Sequence, residues 1–252
     1  MDAPRINGIA SPAPSVFASA PSRFFLGVLT LDTRFPRLPG DIGNPASFGV
    51  PVLTRTVRDA RPHHAVQSAA GQRAAGLFAP FCRAMRDLEM QGAAAITTSC
   101  GFLVLMQERL QAQTRLPVVT SSLMLLPRLL ERQPRVGVLT ISARHLGEEF
   151  LAAAGVPASR MPDVSVEGVA PEGEFAQALL SNRPHIDFAC ARRDVVEAAV
   201  RLHERDGRIT DVVLECTNMP PYARAIEAAT GLRCWSLLQS EVLLAPLRRR
   251  ER

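Results

Sequence analysis

The sequence predicts an α/β protein made of two pseudo-symmetric Rossmann-like halves, each a mostly parallel sheet flanked by helices, with a cleft between them. Three observations predict it. Short apolar runs alternate with amphipathic stretches of helical length, the pattern of parallel strands joined by right-handed crossovers. The string Gly27-Val28-Leu29-Thr30 returns as Gly137-Val138-Leu139-Thr140, and Arg34 returns as Arg144. Cys100 is matched by Cys216, each preceded by a glycine (Gly92, Gly207) and a strand, and Thr114 and Leu116 are matched by Thr230 and Leu232.

Residues 1–22 are rich in Ala, Pro and Ser, and prolines at 4, 12 and 14 interrupt any signal-peptide core, so a disordered extension is expected there. Phe24–Thr30 and Pro51–Thr56 read as buried strands. Gln72–Met90 has helical spacing, with Leu77, Phe81, Met85 and Leu88 on one face. Ala93–Thr97 is a strand, Phe102–Leu110 opens a helix, and Pro117–Thr120 is a strand followed by a helix through Leu130. The order recurs as strand 136–140, helix 145–154, helix 186–205, strand 211–215, helix 221–229 and a short strand near 233–237. Residues 156–185 carry no clear period. The domain reading is an extension over 1–22, a first half over 23–132 joined by the C-terminal helix 239–252, and a second half over 133–238.

Composition excludes several functions. The chain has 252 residues, 47% apolar and 21% charged, as a soluble globule has. No run approaches the roughly 18–20 apolar residues of a membrane span. The net charge of +5 is concentrated in the last five residues, where Arg248, Arg249, Arg250 and Arg252 face only Glu251. This is a solvated tail, and one Tyr and one Trp give little for stacking, so no nucleic-acid partner is expected. All 29 basic residues are Arg. Without Lys there is neither a pyridoxal Schiff base nor the usual phosphate-binding loop. The five cysteines are odd in number and lack metal-type spacing, which predicts free thiols in a reducing, cytoplasmic compartment and no metal.

The chemistry is expected beyond the C-terminal ends of the strands, where open parallel sheets bind ligands. Ile96-Thr97-Thr98-Ser99-Cys100-Gly101-Phe102 runs from a strand into a polar turn, and Leu214-Glu215-Cys216-Thr217-Asn218-Met219-Pro220 repeats the device. A thiol before a helix N-terminus meets unpaired N–H groups and the positive dipole end, which predicts a lowered pKa. Two thiols on opposite walls can remove a proton from one face of a carbon and return one to the other. Backbone N–H groups at Gly101–Phe102 and Thr217–Asn218 would steady a carboxylate taking on enediolate character. Cys82, Cys190 and Cys234 sit in apolar helix or strand patterns and read as small hydrophobes. His63, His64, His145, His185 and His203 form no triad-like spacing and read as surface or structural.

At these motifs the chain resembles the aspartate/glutamate racemase superfamily, which includes hydantoin racemases, arylmalonate decarboxylases and maleate isomerases. The Cys100 motif, the Cys216-Thr217 pair and the duplication carry the resemblance, which spans Phe24 to Leu247. It implies that Cys100 and Cys216 are the acid/base pair and that no cofactor is used. It implies that Asp32 and Thr33 after the first strand organise the site and that the loop from Pro39 to Asn44 closes over substrate. Ser121 and Ser122 stand where relatives place ligand contacts, and Thr140, which ends the first strand of the second half, is expected to contact substrate along with Ser99, Gly101, Phe102, Thr217 and Asn218. A homodimer is a further family-level expectation. Two departures stand out. Asn218 occupies a position where amino-acid racemases carry His or Glu, and Gly101-Phe102 replaces the Asn-Thr of glutamate racemases. Both make the pocket less polar and point away from glutamate. The expected function is cofactor-independent racemisation or isomerisation next to a carboxylate or carbonyl. A decarboxylase or cis–trans isomerase on the same scaffold and a non-catalytic carboxylate binder are the alternatives.

Overall fold

Phe25–Leu31 (β1) buries every residue after the first, so both of its faces must be covered, as in a parallel sheet with helices on each side. It pairs in parallel with Val52–Val57 (β2) on one side and Ala93–Thr98 (β3) on the other, and β3 pairs with Val118–Val119 (β4). The second sheet repeats the plan with Val136–Thr140 (β5), Val164–Gly168 (β6), Asp211–Leu214 (β7) and Arg233–Trp235 (β8). The strand orders are β2-β1-β3-β4 and β6-β5-β7-β8, all parallel. This is the two-sheet α/β fold that the sequence predicts. The computed structural model describes residues 24–248. The extension expected over 1–22 and the arginines beyond Arg248 lie outside the described residues.

The helices are Pro62–Ala65 (α1), Ala69–Ala74 (α2), Phe78–Met90 (α3), Gln107–Gln111 (α4), Leu126–Leu130 (α5), Glu148–Ala153 (α6), Glu174–Leu180 (α7), Phe188–Arg205 (α8), Ala223–Thr230 (α9) and Glu241–Arg248 (α10). The repeated Gly27 and Gly137 are where helices press on the central strands. A Cβ on Gly27 would lie 2.7 Å from Ile96 Cδ1 and 3.0 Å from Leu88 Cδ1, and one on Gly137 would lie 2.7 Å from Leu202 Cδ2. Leu88 belongs to α3 and Leu202 to α8, so the duplicated glycine does the same packing in each half.

The expected helix over 72–90 is in fact two, α2 and α3, parted at Gly76, whose φ of 63° is left-handed. Leu77, Phe81, Met85 and Leu88 are buried all the same. The helix expected from Phe102 begins as a 3-10 turn over Gly101–Met106 and becomes α-helical only at Gln107. The unreadable stretch 156–185 contains β6 and α7. Every residue of β6 is half-buried at a sheet edge, so no alternation marks it. The helix α10 packs against β1, β3 and β4 of the first sheet, and Leu243, Leu244 and Leu247 share a cluster with Leu26, Val28, Ala94 and Val119. No helix among the described residues is long and apolar enough to cross a membrane.

Candidate active site

Because β3 and β7 hold the same place in their sheets, the turns that follow them meet. Thr217 Oγ1 donates to Ser99 O at 2.6 Å, and Ser122 Oγ donates to Leu214 O at 2.6 Å, so hydroxyls from each half satisfy carbonyls of the other. The Phe102 ring packs edge-on against Phe150 of α6, with centroids 5.2 Å apart. These contacts frame one pocket between the halves. Its walls include Ser99, Cys100, Gly101 and Phe102 from the first half and Glu215, Cys216, Thr217 and Asn218 from the second. Apolar residues complete it: Leu31, Phe35, Val66, Ile141, Leu179 and Leu180. The empty space, including open solvent at the mouth, is about 370 Å³.

Both cysteines are buried and unpaired. Cys100 precedes the 3-10 turn, where the N–H groups of Phe102 and Leu103 hydrogen-bond its sulfur. Cys216 takes a backbone hydrogen bond from Asn218, and its thiol donates to Asn218 Oδ1 at 3.7 Å. The lowered thiol pKa expected from the sequence is reversed. Burial, with the neighbouring Glu215 second, pushes Cys100 up to about 12 against those N–H groups, and the same two causes raise Cys216 well above an ordinary thiol. Desolvation outweighs the local dipoles because the turn ends inside the protein rather than at its surface.

Glu215 is itself fully buried, and burial raises its carboxyl to about 8. Thr140 Oγ1 donates to Oε2 at 2.7 Å, while Oε1 has no partner. A Cβ at Gly101 would collide with the Glu215 carbonyl oxygen and with Oε1. The glycine beside Cys100 is therefore what lets the segment before Cys216 come this close.

The pocket's cation is Arg37. Its Nη1 donates to Asp41 Oδ1 at 2.8 Å, and the second Asp41 oxygen accepts from Asn218 Nδ2 at 2.5 Å. Asp41 is 3% exposed, and the backbone N–H of its neighbour Ile42 donates to Thr217 O, so this loop is docked on the Cys216 turn.

The structure thus brings Cys100, Cys216, Ser99, Gly101, Phe102, Thr217 and Asn218 to one pocket. The other residues named from the sequence stand elsewhere. Thr140 is one layer behind, on Glu215. Ser122 ties the halves together, and Ser121 caps the 3-10 turn at 122–125 by accepting from Leu123 N. Asn44 caps the turn at 45–47, and Thr33 Oγ1 accepts from Arg37. Asp32 lines a separate polar recess with Arg34, Arg61, His63 and Asn182. The sequence gives Arg37 and Glu215 no place in the site and Asp41 only a place in the loop from Pro39 to Asn44. Glu215 does carry a signal, a carboxylate at the end of an apolar strand. Among the described residues no group of three or more His, Cys, Asp or Glu is arranged to hold a metal.

Fold and site together define a two-sheet α/β enzyme scaffold with a cysteine from each half in the central pocket. A model of the Asp/Glu/hydantoin racemase family matches residues 47–242, and the chain belongs to that family. Among curated proteins, it is 30% identical over 222 residues to a dimethylsulfoniopropionate lyase from Durusdinium sp. clade D, covering 85% of this chain and 72% of that protein. It is 28% identical over 231 residues to dimethylsulfoniopropionate lyase 7 of Emiliania huxleyi, covering 85% of this chain but only 64% of that longer one. Among solved structures, a glutamate racemase from Bacillus anthracis superposes with a TM-score of 0.58 at 15% identity, over 91% of this chain and 83% of that one. That likeness is one of fold.

Proposed function

We propose that the chain is a carbon–sulfur lyase that takes a proton from the carbon next to a carboxylate and expels a neutral sulfide from the following carbon. The substrate class is a β-sulfonio carboxylate such as dimethylsulfoniopropionate, the compound in the names of its relatives. One observation carries the reading: two buried thiols share an apolar pocket whose cation is already paired with Asp41. Such a pocket suits a zwitterion better than an anion. It also lacks a free carboxylate for an amino acid's ammonium, since Asp41 is engaged twice and Glu215 is neutral at pH 7.

The chemistry follows from the charges. A buried thiol resists ionisation, and a sulfonium held beside it, against the rings of Phe35 and Phe102, offsets the cost of a thiolate. The thiolate removes the α-proton and becomes a thiol. The electron pair forms the carbon–carbon double bond, and the carbon–sulfur bond breaks to give dimethyl sulfide and acrylate. The sulfide leaves uncharged, so no acid is needed to assist it. The second thiol favours the carboxylate as it gains enediolate character.

Racemisation or isomerisation by the same pair is the second reading, favoured by the matched positions of Cys100 and Cys216 in the two halves. Headspace measurement of dimethyl sulfide from purified protein and dimethylsulfoniopropionate tests the first. Loss of optical activity from chiral α-substituted carboxylates, with solvent deuterium entering the α-position and no sulfide released, would establish the second.

A further inference from the structure

Glu215 is the acid in the pocket wall to which the elimination assigns no task. Its Oε1 has no partner although the residue is fully buried. It is adjacent to Cys216 in the chain, and its Oε1 and carbonyl oxygen both lie against Gly101, the neighbour of Cys100. Thr140 fixes the other carboxyl oxygen from β5. The carboxyl thus lies at the seam where the Cys216 turn meets the Cys100 turn, with one oxygen left free. A carboxyl kept there merely for packing would leave a buried acceptor unsatisfied at appreciable cost.

We propose that Glu215 is the proton acceptor that converts one thiol of the Cys100–Cys216 pair into the thiolate base, a role that rests on the elimination reading. One proton passes from sulfur to the carboxylate, giving a thiolate and a neutral carboxyl. The thiolate takes the substrate α-proton and is a thiol again. Glu215 then yields its proton to water, which accounts for the one proton the reaction releases. Glu215 loses its proton near 8, below either thiol, so above that pH it stands as a carboxylate while sulfur still holds its proton, and the transfer is uphill until substrate binds. The bound sulfonium is what draws the charge onto sulfur. The other groups around it are Thr140 from β5, Cys100 from the first half, Cys216 beside it, and the Arg37–Asp41 pair and Tyr222 near Cys216.

The test compares wild type with Glu215→Gln by three readouts. In wild type a protonated-carboxyl infrared band disappears as pH rises through about 8, and the variant lacks it. Iodoacetamide alkylation of the thiols above that pH is faster in the variant, because the repelling carboxylate is gone, and unchanged below it. Turnover near pH 8 falls about 100-fold, the scale of a lost proton-transfer group. A structural opening would instead speed alkylation at every pH and lower the melting temperature. Turnover in the variant within about twofold of wild type, or a wild-type protein without the titrating band, overturns the proposal. If wild type releases no sulfide, the elimination reading fails. Alkylation rates that match at every pH would then separately overturn the claim on Glu215.

Discussion

At the scale of the residue, burial governs this site more than local dipoles do. Both thiols stand at strand ends amid Thr, Ser and Asn, which is why the sequence marked them, yet their surroundings raise rather than lower their pKa. Burial is a tertiary property, and nothing in the string Leu214-Glu215-Cys216 announces it. Arg37 carries no signal of its own in the sequence, and Asp41 only its place in the loop from Pro39 to Asn44; docking of that loop on the Cys216 turn makes them a buried pair. Removing one partner leaves the other charge unpaired, so Arg37→Ala should lose about 3–5 kcal/mol in urea denaturation. Glu215 gives a pH-dependent term. Its folded pKa of about 8 exceeds the ordinary carboxylate value of 4.5, so between these the folded chain holds a proton that the unfolded chain has lost. This contribution to stability is full below about 4.5, declines as pH rises and is gone above about 8. Urea midpoints measured across that range should fall in wild type and stay flatter in Glu215→Gln.

At the scale of the element, the central strands were the most legible because they are buried on both faces and read as continuous apolar runs. The edge strand β6 and the seven-residue α7 were not, since one is half-exposed throughout and the other is too short to show a period. The repeated glycines have a physical reason: each lets a helix approach its sheet. They differ in tolerance from Gly101. A methyl at Gly27 meets the flexible ends of Ile96 and Leu88, whereas one at Gly101 meets the Glu215 backbone, which cannot yield without moving the site. Gly101→Ala should therefore cost about 1–3 kcal/mol or more, and Gly27→Ala less. Thermal unfolding of the two variants side by side checks the order, and activity should be lost only in Gly101→Ala.

At the scale of the whole molecule, the duplication places equivalent strand ends opposite one another, and the two halves share one hydrophobic cluster containing Cys100, Phe102, Phe150 and Cys216. The sequence repeat made this symmetry visible. The hydroxyl sutures were not, because Ser122 reaches a carbonyl 92 residues away and Thr217 one 118 residues away. Ser122→Ala should cost about 1–3 kcal/mol by orphaning the Leu214 carbonyl, read as a shift in the urea midpoint. The same coupling predicts a single transition. Trp235, in the second half, should report unfolding by fluorescence at the same denaturant concentration as circular dichroism of the whole chain. Thiols contributed by both halves serve one elimination, one taking the α-proton and the other favouring the carboxylate. The most direct test of this division is dimethyl sulfide release from dimethylsulfoniopropionate by Cys100→Ser and Cys216→Ser, each shown to be folded by circular dichroism. Each variant should fall at least about 100-fold below wild type, the scale of a lost proton-transfer group. Wild-type release by either variant would contradict it.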